Sequence, residues 1–124
     1  MIELGFIALG GALGAVLRFI TVMGTHQLLG RSFPYGTLVV NVVGSLIVGI
    51  VTVMLFERYN VSGNFRAFLI IGVLGAFTTF STFSIETLTL FMDGNVIKSM
   101  TNILANILCC LLAVWLGTAI GKLI

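Results

Sequence analysis

Between Thr78 and Ser84 the chain reads TTFSTFS, seven consecutive residues that carry either a hydroxyl or a phenyl group. Phe80 and Phe83 stand three apart and share a helical face, while Ser81, Thr82 and Ser84 fan around the same turn. A second set of polar groups lies elsewhere. Asn41 falls within GTLVVNVVGS, and Asn102, Asn106 and Cys110 recur at every fourth position, again on one face. Amide and hydroxyl groups donate hydrogen bonds, and an aromatic ring carries positive charge at its edge. Together they suit a small anion that must bind without being trapped by a full cation. Packing phenylalanines would show the same spacing, so spacing alone leaves both readings open.

The inventory argues against catalysis. Glu86 and Arg18 are the ionisable groups at depth, and no nucleophile–base pair or ligand-spaced His and Asp accompanies them. Adjacent Cys109 and Cys110 suit neither a relaxed disulfide nor a metal site, and they read as small buried apolar residues. His26 is expected in the first connector or at a span end, solvated. The chain reads as a non-enzyme.

The elements that must hold these groups follow from composition. Of 124 residues, 59% are hydrophobic and 8% are charged, with a mean hydropathy of +1.22. A soluble domain carries roughly a quarter charged residues. A membrane-crossing helix needs about 20 apolar residues, and four such segments fit, at about 2–23, 37–56, 68–91 and 96–123. The chain is thus predicted to be an all-α integral membrane protein, one four-span domain over 1–124, with the lipid bilayer as its surroundings. The first segment opens on Glu3 rather than a basic run, so it reads as a retained span and not as a secretory signal. A net charge of +2 without a basic run gives no footprint for nucleic acid.

Orientation is nearly unbiased. Arg58, Arg66 and Lys122 fall on one side, Arg31 and Lys98 on the other, with Arg18 leaning toward the second. Such a chain can insert either way, and inverted copies can pair about an axis in the membrane plane. Counts this small also fit no preference at all. Gly10 with Gly14, Gly117 with Gly121, and Ser45 with Gly49 form small-xxx-small pairs that favour close helix packing. Gly72 and Gly75 precede the threonines, so the third span is expected either to break near Gly75–Thr79 or to continue with hydroxyls bonded to the preceding turn.

Three blocks carry a resemblance: GGALGAVLR (Gly10–Arg18), GTLVVNVVGS (Gly36–Ser45) and GVLGAFTTFSTFS (Gly72–Ser84). Along its whole length the sequence closely resembles the Fluc (CrcB-like) family of bacterial fluoride channels. The resemblance implies an antiparallel dual-topology homodimer in the bacterial inner membrane, with two fluoride pores. It places Phe80 and Phe83 as rings contacting fluoride by their edges, Asn41 as the amide donor beside them, and Ser81 and Thr82 in the hydroxyl-bearing stretch. It implies one structural Na+ on the dimer axis, held by the main-chain carbonyls of Gly75 and Thr78. Arg18 maps to a vestibule that concentrates anions, although snorkelling to the interface would also explain it. Asn106 enters the pore through its helical face, where relatives carry other hydroxyl or aromatic groups, and Glu86 falls near a pore end with its role open. The implied activity is passive fluoride export that gives fluoride resistance.

Two rivals bound this reading. A small four-span multidrug or cation exporter needs a carboxylate deep in its first span, where this chain has only Glu3 at the very end. A non-conducting membrane assembly subunit would use the same packing glycines and carry no fluoride.

Overall fold

The computed structural model describes residues 1–124. Helix α1 spans Ile2–Leu29 and α2 spans Tyr35–Arg58, whose last turn, Met54–Arg58, is π-helical. The third span, Gly63–Met92, is two helices in line. Its first half, α3 (residues 63–77), includes a π-helical stretch at Ala67–Leu74, and its second half, α4, is Phe80–Met92. Helix α5 runs Val96–Leu123. All four spans are long and apolar enough to cross a bilayer.

The spans begin and end where local chemistry stops them, which extends three of them past the hydropathic segments. Helix α1 continues through His26 to Leu29, so His26 lies in its last turn and not in the connector. It stops at Gly30, whose φ of +80° suits a residue without Cβ and whose N–H donates to the His26 carbonyl at 2.9 Å. Pro34 fixes the chain just ahead of α2. Helix α3 starts at Gly63 because the Ser62 hydroxyl accepts the Phe65 N–H at 3.4 Å. Gly94, with φ +82°, turns the chain from α4 into α5.

The small-residue pairs find partners within the chain. Gly10 and Gly14 of α1 lie against the backbone of α3, and a Cβ at Gly72 would stand 2.8 Å from the Gly10 Cα. On the other side Gly49 of α2 faces Gly117 of α5, where an added Cβ would stand 3.0 Å from the Gly117 Cα. Side chains are absent where the backbones meet, so dispersion contacts replace the hydrophobic effect that lipid cannot supply.

The third span therefore changes neighbours. Its first half packs on α1, and its second half packs on α5. The switch occurs at Thr78 and Thr79, the only extended residues within the span (φ −85°, ψ 158° and φ −152°, ψ 116°). Gly75 itself remains helical at φ −62°, ψ −38°, so the break is narrower than Gly75–Thr79. Only 22 of 124 residues are buried, which leaves most of the apolar surface for lipid or another protein to cover.

Candidate functional site

The break cannot be left unsatisfied, because a backbone polar group in hydrocarbon costs several kcal/mol. Asn41 of α2 satisfies it. Its Oδ1 accepts the Thr79 N–H at 2.8 Å, and its Nδ2 donates to the Thr79 carbonyl at 3.1 Å. One side-chain amide thus reproduces both halves of a backbone pairing. In an unbroken helix the Thr79 N–H would go to the Gly75 carbonyl, which here loses that donor.

The second Asn41 proton goes to Asn106 Oδ1 on α5, at 3.0 Å. Asn106 in turn donates to the carbonyl and to Oδ1 of Asn102, both at 3.0 Å, and Asn102 donates to Thr87 Oγ1 at 2.9 Å. Asn102, wholly buried, anchors this chain and lines neither of the two cavities that flank the break. A fully satisfied network of this kind fixes one arrangement of α2, α4 and α5.

Below the break, α4 begins at membrane depth. The Thr79 hydroxyl caps it, accepting the Thr82 N–H at 3.2 Å and donating to Thr82 Oγ1 at 3.0 Å. The Thr82 hydroxyl proton is therefore free to face outward, and Ser81 Oγ lies 3.4 Å from Thr79 Oγ1. A 13-residue helix starting here also presents the positive end of its dipole.

Two cavities border this point. A groove of about 430 Å³ is lined by Asn41, Thr78, Phe80, Phe83, Asn106 and Cys110 among others. A second, of about 380 Å³, is lined by Arg18, Thr37, Thr82, Glu86 and neighbouring α1 residues. Thr79 lines both. The Phe80 and Phe83 rings lie 5.2 Å apart, tilted by 51°, with Phe83 7% exposed and Phe80 77% exposed.

The sequence-predicted residues thus divide. Phe80, Phe83, Asn41, Asn106 and Thr78 share the groove, while Arg18 and Thr82 share the second cavity. Ser81 is exposed and lines neither, and Gly75 is exposed beside the break. Three residues were not singled out as site residues. Thr79 borders both cavities, Thr37 donates to Glu86 Oε1 at 2.9 Å, and Ser45 lines the groove. A signal for two of them was present: Thr37, Asn41 and Ser45 recur at every fourth position, as the α5 residues do.

No group of three or more His, Cys, Asp or Glu residues is placed to hold a metal. A cation at the break would fall to neutral oxygens, and the Gly75 carbonyl, without its helical donor, is a hard oxygen of that type.

Comparison with known proteins gives a consistent picture. The family model described as "CrcB-like protein, Camphor Resistance (CrcB)" matches residues 5–118. A Shewanella denitrificans protein named "Fluoride-specific ion channel FluC" is 50% identical over 117 residues, covering 94% of each chain. A Magnetococcus marinus protein of the same name is 43% identical over 122 residues, covering 98% of this chain and 99% of the relative. A Methylococcus capsulatus protein, also so named, is 47% identical over 116 residues, and the chain spans about half of that longer relative's length (51%).

Proposed function

Since this chain belongs to the CrcB-like family, we propose that it is a passive, fluoride-selective channel that exports cytoplasmic fluoride and gives fluoride resistance. One observation carries the reading. A half-helix starts at membrane depth beside a groove walled by two phenyl rings, and its cap, Thr79, borders both that groove and a cavity lined by Arg18.

The chemistry follows from these parts. Arg18 raises the anion concentration in the second cavity. The free Thr82 proton and the positive end of α4 replace water around fluoride as it moves inward. Phe80 and Phe83 offer ring edges, which attract an anion weakly enough to release it. Asn41 and Asn106 line the same stretch, and Asn41 contributes a donor to fluoride by releasing its bond to Asn106. Ser81 adds a hydroxyl at the exposed edge. Hydrogen fluoride crosses membranes neutrally and dissociates in a more alkaline cytoplasm, so a passive path suffices to return the ion. No reaction is catalysed.

The groove is open on one side, with Phe80 most exposed. A second, inverted copy of the chain covers it and gives a dual-topology homodimer, consistent with the near balance of Lys and Arg. The main-chain carbonyls of Gly75 and Thr78 would hold a structural Na+ shared by the two subunits, and such an ion would stabilise the paired breaks. The whole chain, 1–124, acts as one multi-pass domain of the bacterial inner membrane.

The test is fluoride efflux from liposomes holding purified protein, read with a fluoride electrode after valinomycin relieves the charge imbalance. Fast, valinomycin-dependent efflux without chloride release is expected. No efflux from folded dimers would favour the assembly-subunit reading.

A further inference from the structure

Three of the six Lys and Arg residues, Arg58, Arg66 and Lys122, converge at one end of the bundle, away from the channel groove. Arg58 closes α2, Arg66 lies in the first turns of α3, and Lys122 is in the last turn of α5. Arg58 Nη2 donates to the Lys122 carbonyl at 2.6 Å, which holds the side chain across the ends of α2 and α5. Arg66 lies with its guanidinium carbon 4.6 Å from the centroid of the Phe56 ring. Its Nε–H is buried and finds no acceptor.

Between them is a pocket of about 220 Å³ lined by Phe56, Glu57, Arg58, Tyr59, Asn60 and Arg66. Glu57, its one carboxylate, hydrogen-bonds to neither guanidinium. That Nε is closed off from outside, but Arg66 lines the pocket and no hydrogen bond within the chain engages the rest of its guanidinium, which leaves the Nη donors to an acceptor from outside the chain. Guanidinium groups bind phosphate oxygens in a fixed fork. Phe56 and Tyr59, each 57% exposed, mark the depth at which aromatic residues meet headgroups.

We propose that this pocket binds the phosphate group of an anionic phospholipid, with Arg66 and Arg58 as its ligands and the acyl chains beside Phe56. The site is independent of the channel reading. It lies at the ends of the spans and needs no fluoride path.

The test uses the full-length protein in detergent and native mass spectrometry with phosphatidylglycerol or phosphatidylcholine. Phosphatidylglycerol should be retained preferentially, and Arg58→Gln with Arg66→Gln should weaken retention roughly thirtyfold, about fivefold for each cation near a headgroup. Lys98→Gln, at the opposite end, should leave retention unchanged. Arg66→Lys keeps the charge without the fork and should fall between. Circular dichroism checks that each variant keeps its helices, and the single variants serve if the double one unfolds. Millimolar inorganic phosphate distinguishes the source: no displacement supports the lipid, while displacement in wild type alone overturns the lipid in favour of a free anion. Equal retention by wild type and a folded double variant overturns the site.

Discussion

Asn41 and Thr79 lie 38 positions apart in the chain, yet the Asn41 side chain accepts the Thr79 N–H and donates to the Thr79 carbonyl. The amide therefore does for the third span what a helical neighbour would otherwise do. Removing it strands two backbone groups in the membrane. Asn41→Ala should cost about 2–6 kcal/mol, from two buried backbone groups left unpaired at about 1–3 kcal/mol each, and should lower both the unfolding temperature and fluoride efflux. Thermal unfolding in detergent checks this. An unchanged midpoint would show that the pairing does not hold the break.

Phe80 and Phe83 separate lining from packing because their exposures differ, at 77% and 7%. Phe80→Ile should abolish efflux while leaving the protomer's stability unaltered. Phe83→Ile should abolish efflux and also cost up to about 1.5 kcal/mol, as a volume change in a packed site does. Full efflux in both variants would remove the ring-edge contact.

Gly44 sits opposite the break, where an added methyl would overlap the Thr78 Cγ2 and stand 3.3 Å from the Phe77 ring. Gly44→Ala should shift the break, costing about 1–3 kcal/mol and reducing efflux severalfold. Gly5→Ala, which meets nothing within 4 Å, is the matched control. Equal loss in the two would mean that close packing at the break is unimportant.

The role proposed for Arg18, concentrating anions in the second cavity by its charge, predicts an effect that depends on ionic strength. Arg18→Gln should reduce fluoride flux severalfold at low salt, and the difference should shrink as the Debye length falls toward about 3 Å at 1 M. A salt-independent deficit would instead assign Arg18 a packing role.

The proposed Na+ predicts that replacing sodium with N-methyl-D-glucamine on both sides lowers efflux and the unfolding temperature together. Undiminished efflux after thorough sodium removal would take the ion out of the reading.

The sequence by itself determined the membrane setting, the four spans and which polar side chains share a helical face. Each of these is a local property: hydropathy over about 20 residues, or polar side chains repeating on a helical face. A break was one of two readings left open by glycines ahead of β-branched threonines. Its position was not legible. Gly75 stays helical, and the chain opens at Thr78 and Thr79, where Asn41, on another span, pairs with the Thr79 N–H and carbonyl.

The tertiary structure also decided which groups meet. Asn106 faces the groove while Asn102, one turn away on the same face, is fully enclosed by its bonds to Thr87 and Asn106. Helical periodicity places both on one stripe and cannot distinguish them. Lipid offers no hydrogen bonds, so each buried polar group must find its partner within the protein. That requirement couples residues on different spans, and only the packed bundle sets which ones.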